Sequence, residues 1–303
     1  MKEYQLVIVG AGPAGLTAGI YAGRARIKTL VIDKLGYGGQ MLLIDAVENF
    51  PGFPEAINGF ELAKKMYDQM IQFGTEHKVD DVKEIKKINE GFSIKCDEET
   101  YFAKSIILAI GSKPRKLDAA GETEFIGKGV SYCAVCDGNF FKGKEVAVVG
   151  GGNSALEEAE YLSRIASKVT VIHRRDQLRA DKILQERAKN NKKIVFAYNS
   201  VVDSIQGEGK VSKVVLKDVK TNKLSDINVS AVFVLIGQIP QTEIFRGLID
   251  VDEKGFILTD SNFRTSVKGV FASGDCRRRE FWQLVVASAE GAQAVHNALE
   301  YLA

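Results

Sequence analysis

The sequence is poor in the residues that hold metals and disulfide scaffolds. Its 303 residues include three histidines and four cysteines, namely Cys96, Cys133, Cys136 and Cys276. A structural zinc site needs about four ligands, and the chain has a single Cys-x-x-C pair, so we predict no metal site. Four cysteines also exclude a disulfide-rich secreted scaffold and favour the reducing cytoplasm. Cys96 and Cys276 stand alone and are interpreted as small core residues.

Long apolar runs and an excess of one charge are also missing. No stretch reaches the roughly 18 apolar residues of a membrane-spanning helix. The apolar run at the N-terminus continues into glycines and lacks the cleavage site of a signal peptide. The formal net charge is only +2, which argues against a dedicated nucleic-acid or membrane-surface protein. We therefore expect two medium-sized domains that bind neither nucleic acid nor a membrane.

An internal repeat is the strongest positive feature. Residues 6–33, LVIVGAGPAGLTAGIYAGRARIKTLVID, align without a gap on residues 146–173, VAVVGGGNSALEEAEYLSRIASKVTVIH, at an offset of 140. Each segment has a β-branched apolar run, a glycine turn, a helical pattern and a second β-branched run. The repeat predicts an α/β protein with two Rossmann-like (βαβ, three-layer) nucleotide-binding domains.

The first segment carries the glycine pattern of dinucleotide-binding proteins. Gly10, Gly12 and Gly15 form G-x-G-x-x-G, in which the glycines permit the tight turn, the approach of a pyrophosphate and close helix–strand packing. Asp33 follows Gly10 by 23 residues, where an acid accepts hydrogen bonds from a ribose diol. The alternative is a tight turn without a ligand.

The second segment has a variant of that pattern. Gly150, Gly152 and Ala155 form G-x-G-x-x-A, and His173 stands where the acid is expected. Arg174, Arg175 and Arg179 follow in the run HRRDQLR. Arginines pair with phosphate oxygens, whereas an acid repels them, so this segment predicts a nucleotide with a 2′-phosphate. The alternative is a solvated basic helix start. The simplest assignment is that the first segment binds FAD and the second binds NADPH.

The order of strands predicts a split domain. Residues 1–112 and 246–303 are expected to form an FAD-binding domain, and residues 117–242 an inserted NADPH-binding domain that carries the Cys-x-x-C pair. Gly274 and Asp275 follow a late buried strand, where the acid suits the ribityl and phosphate part of FAD. Two chain segments join the domains, which is a natural hinge.

The joint order of the motifs resembles the low-molecular-weight bacterial thioredoxin reductases over nearly the whole length. The motifs are G-x-G-x-x-G, GGQ at 38–40, ENFPG at 48–52, C-x-x-C-D, G-x-G-x-x-A, HRRxxxR and a late GD. The resemblance implies a homodimer that binds FAD and NADPH. The implied FAD-binding residues are Gly10, Gly12, Pro13, Ala14, Gly15, Asp33, Gly38, Gly39, Gln40, Asn49, Asp275 and Gln283. Trp282, next to Gln283, is a further candidate cofactor-binding residue. The implied NADPH-binding residues are Gly152, Asn153, Ser154, His173, Arg174, Arg175 and Arg179.

The stretch SYCAVCDGNF at 131–140 contains the cysteine pair. A Cys-x-x-C pair can bind metal, form a structural disulfide or carry electrons, and two nucleotide-binding segments favour the third. The resemblance implies that Cys136 faces the flavin and that Cys133 attacks the disulfide of thioredoxin. Asp137 would then protonate a departing thiolate as general acid, the alternative being a turn residue before Gly138. We further expect the inserted domain to rotate between cycles, since its dithiol and its NADPH must both reach one flavin.

One residue departs from the family pattern. The family has an Arg-Gln pair where the last helix meets the flavin, and this chain has Trp282-Gln283. The change removes a positive partner of the flavin ring. Other readings of the whole chain are a flavin disulfide reductase or oxidase with another small protein or dithiol partner, NADH as the electron donor, and a flavoprotein redox sensor.

Overall fold

The computed structural model describes residues 2–44, 47, 49–245, 247–279 and 281–303. The predicted start of the C-terminal FAD-domain segment at position 246 lies outside the described residues, as does Glu48 of the ENFPG motif. The helices are α1 (Pro13–Arg24), α2 (Gly59–Gln72), α3 (Ala134–Asp137), α4 (Asn153–Ile165), α5 (Lys182–Asn190) and α6 (Leu284–Leu302). None of the helices in these ranges combines the length and hydropathy needed to span a bilayer.

The strands are short and follow the order expected of repeated βαβ units. They are β1 (Lys2–Val9), β2 (Thr29–Asp33), β3 (Glu76–Val79), β4 (Val82–Ile88), β5 (Gly91–Cys96), β6 (Thr100–Leu108), β7 (Ser112–Pro114), β8 (Val130–Ser131), β9 (Glu145–Val149), β10 (Lys168–Ile172), β11 (Ile194–Ala197), β12 (Ser200–Gly207), β13 (Val211–Asp218), β14 (Leu224–Asn228), β15 (Ala231–Val234), β16 (Gln238–Pro240) and β17 (Val270–Ala272).

The chain divides into two compact units. The first consists of Met1–Lys113 and Ile239–Ala303, and the second of Pro114–Gln238. The chain passes between them within two short strands, β7 and β16, which pair as a two-stranded ribbon.

A seven-stranded sheet forms the first unit. Its order is β3-β2-β1-β6-β5-β4, and β17 pairs with the C-terminal part of β6. Strands β3, β2, β1, β6 and β17 are parallel, whereas β4 and β5 are antiparallel. Alternate residues of β1 enter two cores: Leu6 and Ile8 pack with the helices, and Val7 and Val9 with β4, β5 and β6. Burial on both faces explains the continuous apolar run of this strand.

The second unit repeats this plan. A parallel five-stranded sheet has the order β11-β10-β9-β15-β8. Val146 and Val148 of β9 pack with α4 and α5, and Ala147 and Val149 face the antiparallel sheet β12-β13-β14. Each unit is therefore a three-layer Rossmann-like fold, and the predicted α/β class is confirmed.

Candidate active site and nucleotide-binding loops

The first glycine loop joins β1 to α1. A Cβ at Gly10, whose φ is +104°, would lie 2.3 Å from the carbonyl oxygen of Ala109. A Cβ at Gly15 would lie 1.8 Å from the carbonyl oxygen of Gly10. At Gly12 a Cβ would meet nothing within 4 Å. Gly10 and Gly15 are thus required by packing, and Gly12 leaves open space beside the start of α1.

That helix start is chemically suited to an anion. Pro13 occupies the first turn, Gly12 provides no capping side chain, and the first turn has no acidic residue. The N–H groups of the first turn therefore lack an intrahelical or side-chain acceptor, and the helix dipole favours negative charge there.

Asp33 and the GGQ segment surround the same loop. The Asp33 carboxylate accepts the N–H of Ala11 at 2.8 Å and that of Leu35 at 2.9 Å. Gly38 donates its N–H to the carbonyl oxygen of Ala11 at 2.8 Å. A Cβ at Gly39 would lie 3.3 Å from the Cα atom of Gly12. Residues far apart in sequence therefore meet around the open space at Gly12.

Gln40 completes the GGQ segment. Its amide nitrogen donates to the carbonyl oxygen of Ser112 at 2.5 Å. The side chain thereby ties the segment to β7, the strand at which the first unit is interrupted.

The GD motif approaches the first glycine loop from the other side. Gly274 has φ of +75°, and a Cβ there would lie 2.9 Å from the Ala14 Cβ atom. Its N–H donates to the Glu290 carboxylate at 2.7 Å. Asp275 lies next to this contact and forms an ion pair with Arg279. The predicted flavin residues Ala14 and Asp275 are thus brought to the same end of α1.

Trp282 and Gln283 immediately precede α6. The Trp282 ring lies 6.1 Å from the Phe256 ring, centroid to centroid, and its indole Nε1 is buried without a hydrogen-bond acceptor among the described residues. The Gln283 amide oxygen accepts a hydrogen bond from Asn49 at 3.1 Å. Together with the open space at Gly12, the unpartnered indole N–H shows that the residues present fit a polar group such as FAD.

The second glycine loop, between β9 and α4, repeats the geometry of the first. A Cβ at Gly150 would lie 2.5 Å from the carbonyl oxygen of Leu235, and one at Gly152 would meet nothing within 4 Å. The α4 start lacks a side-chain cap. Asn153 is tied to Asp181 by reciprocal hydrogen bonds of 2.7 and 2.9 Å, and Ser154 is exposed.

A basic cavity of about 420 Å³ opens beside this loop. Its lining residues are Arg174, Arg175, Asp176, Gln177, Leu178, Arg179, Asn199, Val219 and Lys220. The three arginines are exposed, and none of them has a carboxylate within 4 Å among the described residues. Arg179 is positioned by its N–H, which donates to the carbonyl oxygen of Gly151 at 2.7 Å. The cavity can therefore bind a phosphate with several unpaired cations.

His173 does not line this cavity, but its ring contacts Gln177, a residue that does. It is 5% exposed, and its Nε2–H donates to the carbonyl oxygen of Gln177 at 3.0 Å. A Cβ at Gly151 would lie 2.3 Å from His173 Nδ1. Burial lowers the pKa of His173, and the nearby arginines lower it further. The structure therefore places His173 under the glycine loop, buried and with a lowered pKa.

The cysteine pair forms a disulfide at the start of α3. The N–H of Cys136 donates to Cys133 Sγ at 3.2 Å, and the N–H of Asp137 donates to the carbonyl oxygen of Cys133 at 3.2 Å. Ser131 Oγ accepts the N–H of Cys133 at 3.1 Å and donates to the Asp137 carboxylate at 2.5 Å. Ser131 thus connects Asp137 to the backbone of the first cysteine.

A second carboxylate contacts this turn. Glu158, on α4, accepts the N–H of Ala134, the residue after Cys133, at 2.6 Å. Burial raises the pKa of Glu158 to about 7, against the opposing effect of the Ala134 hydrogen bond.

Several of these contacts involve residues that the sequence analysis did not single out. Ser131 and Glu158 contact the disulfide turn, and Asn199 and Lys220 line the basic cavity. Ser131 has a local signal, since Ser two residues before a turn often bonds its backbone. The other three come from separate elements and match no motif. The described residues contain no cluster of three or more metal-ligating side chains.

The site and fold define a class. Two Rossmann-like units, one with a basic nucleotide cavity and a Cys-x-x-C disulfide, characterise a dinucleotide-dependent disulfide oxidoreductase. A family model for the pyridine nucleotide-disulphide oxidoreductases matches residues 4–292.

Curated relatives narrow the assignment. A thioredoxin reductase of Treponema pallidum is 46% identical over 99% of this chain and 97% of its own. That of Bacillus subtilis is 45% identical over 99% and 95%, respectively. The crystal structure of thioredoxin reductase from Streptococcus pyogenes has a TM-score of 0.89 at 44% identity and covers 99% of this chain and 98% of that one. The chain belongs to the low-molecular-weight thioredoxin reductases of the pyridine nucleotide-disulphide oxidoreductase family.

Proposed function

We propose that this chain is an NADPH-dependent thioredoxin-disulfide reductase that carries FAD. The observation that carries the proposal is the Cys133–Cys136 disulfide, which lies in the same unit as the basic cavity at Arg174, Arg175 and Arg179. A dithiol in the same unit as a basic cavity that suits a 2′-phosphate is what an enzyme needs that takes electrons from NADPH and delivers them to a disulfide. The relatives named thioredoxin reductase support thioredoxin as the acceptor.

The first unit would hold FAD through the residues around its glycine loop. The opening at Gly12 and the α1 start would receive the pyrophosphate, and Asp33 has acceptor positions left for a ribose hydroxyl. Gly38, Gly39, Gln40, Asn49, Asp275, Trp282 and Gln283 remain the proposed further FAD-binding residues. When bound, FAD supplies the conversion of a hydride from NADPH into two electrons for the disulfide.

The second unit would hold NADPH through Gly152, Asn153 and Ser154 at the α4 start. The 2′-phosphate would bind to the three cavity arginines. His173 would orient the loop that carries them, because it is buried and its Nε2–H donates to the carbonyl oxygen of Gln177. An NADH-dependent enzyme is disfavoured by this cavity, since NADH has no group to pair with its cations.

Reduction of the disulfide converts Cys133 and Cys136 into two thiols by uptake of two electrons and two protons. The Cys133 thiolate then attacks one sulfur of the thioredoxin disulfide, and a mixed disulfide forms as the first thioredoxin thiolate departs. Attack by Cys136 on Cys133 restores the internal disulfide and releases the second thiolate. Asp137 would return the protons to the departing thiolates, and its 2.5 Å contact with Ser131 holds it at the turn.

The same unit must present first NADPH and then the dithiol to one flavin. We therefore propose that it rotates about its two chain connections, within β7 and β16. If a crosslink between the units left both flavin reduction and thioredoxin turnover unchanged, rotation would be refuted. The proposal also includes a homodimer and a cytoplasmic location. The location is supported by Cys96 and Cys276, which are buried free thiols.

The decisive test is steady-state NADPH oxidation by the flavin-loaded protein, with and without oxidised thioredoxin and with NADH in parallel. We expect oxidation that depends on thioredoxin and favours NADPH. Rapid oxidation with oxygen alone would instead indicate an oxidase, and absence of turnover with any thioredoxin would refute the proposal.

A further inference from the structure

Helix α4 adjoins both the second glycine loop and the disulfide turn of the second unit. Its first residue, Asn153, follows the second glycine loop, and its side chains at 158, 161 and 162 lie against the disulfide turn. A Cβ at Gly138 would lie 3.0 Å from Leu162 and 3.3 Å from Tyr161. These positions share one face of the helix because they are three and four residues apart. The turn therefore packs closely on α4 just after the second cysteine.

Glu158 lies on the same face and has a more specific contact. It accepts the N–H of Ala134 at 2.6 Å, and Ala134 is fully buried between the two cysteines. Two other donors of the turn have partners within the turn segment itself: Cys133 donates to Ser131 Oγ, and Cys136 donates to Cys133 Sγ. The hydrogen bond from Ala134 is thus a contact between the turn and a charged side chain outside it.

We propose that Glu158 is a positioning residue for the redox pair, which anchors the turn at Ala134 and sets the reduction potential and thiol pKa values of Cys133 and Cys136 by its charge. The inference deepens the proposed function and rests on this pair being redox-active.

The physical basis is the repulsion between like charges. The disulfide is neutral, whereas the reduced pair can carry a thiolate, and a nearby carboxylate disfavours that thiolate. The Ala134 N–H is also directed to Glu158 and is withheld from a thiolate. Both effects raise the thiol pKa values and disfavour the ionised form of the reduced pair above about pH 7, where Glu158 carries its charge, so the pair becomes a stronger reductant there.

The surroundings of Glu158 determine how readily its carboxyl ionises. Glu157, its neighbour on α4, is the charged group that acts on it electrostatically and raises its pKa further. Tyr161 is the other titratable residue on this face. In the turn and α3 the titratable residues are Cys133, Cys136 and Asp137, and the following segment Gly138–Phe141 has no charged side chain. The charge of Glu158 is therefore not neutralised by a cation from these elements.

The test uses the flavin-loaded enzyme equilibrated in dithiothreitol redox buffers, with the thiols of the pair counted by alkylation and mass spectrometry. The variants are Glu158→Gln, which keeps an acceptor for Ala134 but removes the charge, and Glu158→Ala, which removes both. Glu160→Gln is the matched control, because it removes one carboxylate from the same helix where the structure shows no contact with the turn. Alkylation rates between pH 5 and pH 9 give the thiol pKa values.

For Glu158→Gln, at a pH above the pKa values of Glu158 and of the more reactive thiol in the wild type, we expect the pair to be reduced about tenfold more readily, which is about 30 mV for a two-electron couple. The pKa of the more reactive thiol should fall by roughly one unit, and Glu160→Gln should match the wild type. Glu158→Ala should shift both values in the same direction and also loosen the turn, seen as faster amide exchange at Ala134. Equal potentials and pKa values in the wild type and Glu158→Gln would overturn the inference while leaving the proposed function intact. A wild-type pair that dithiothreitol cannot reduce would instead count against the proposed function.

Discussion

Selectivity for NADPH should depend on the exposed arginines of the basic cavity. We consider Arg174→Gln and Arg175→Gln, singly and combined, because both side chains line the cavity of about 420 Å³. A hydrogen bond to a charged group contributes about 1.5–3 kcal/mol, and solvent exposure of both arginines places the expected value near the lower limit. Each single change should therefore lower kcat/KM for NADPH by roughly tenfold.

The double variant should lose roughly thirty- to hundredfold, since two groups that share one phosphate do not act additively. NADH lacks the 2′-phosphate, so its kcat/KM should change by less than about twofold. The loss should appear mainly in KM, because the phosphate contact is the same in the ground state and the transition state. Rising salt should weaken NADPH binding by the wild type more than by the variants.

The assay is steady-state oxidation of each nucleotide with thioredoxin as acceptor. Arg187→Gln on α5 is the control, since it removes an exposed arginine of the same unit that does not line the cavity. Equal losses with NADPH and NADH would refute the reasoning, because a structural defect affects both nucleotides. An unchanged KM for NADPH in the double variant would show that the phosphate binds elsewhere.

Three further predictions concern packing and reactivity. Gly15→Ala should lower the free energy of unfolding by about 1–3 kcal/mol in urea titrations, since its Cβ would lie 1.8 Å from a carbonyl oxygen, whereas Gly12→Ala should leave the unfolding midpoint of the apoprotein unchanged and weaken FAD binding. Glu290→Ala should cost about 3–5 kcal/mol in the same titration, because it leaves buried Arg279 without one of its carboxylates; a cost below about 1 kcal/mol would contradict that role. The oxidised native enzyme should show no alkylation at pH 8, since burial raises the pKa of Cys96 and of Cys276 to about 12, and modification of either before unfolding would disprove it.

The βαβ repeat could be predicted from sequence because its signals are local. Glycines at fixed spacing between two β-branched runs specify β1-α1-β2 and β9-α4-β10, since each residue acts on its own neighbourhood. The antiparallel third layers could not be predicted in the same way. Strands β12, β13 and β14 pair with each other and cover one face of a sheet that lies elsewhere in the sequence, so their role depends on long-range packing.

The functional site also contains residues that local sequence patterns identify and residues that only the fold brings in. The arginines of HRRDQLR could be identified from their position in the repeat, but Lys220 reaches the cavity from the loop between β13 and β14. His173 could be placed by alignment, yet its burial under Gly151 could not, because burial depends on how the loop folds back. Glu158 is one of two adjacent acids on a helix, and only the fold shows that this one contacts the disulfide turn.

The tryptophan at 282 can now be weighed against the charges around it. Three arginines, at 277, 278 and 279, precede it in the sequence, and each is a candidate source of the positive charge that the family pattern has at 282. In the structure, two of these arginines already have carboxylate partners. Arg277 binds Glu290 at 2.7 Å, and Arg279 is buried between Asp275 and Glu290, so their charges are balanced by two carboxylates. A cation that is already paired exerts little net field on a third group. Arg278 is exposed and is the one of the three arginines without a carboxylate partner among the described residues, and the indole N–H is the polar group that position 282 offers to a ligand.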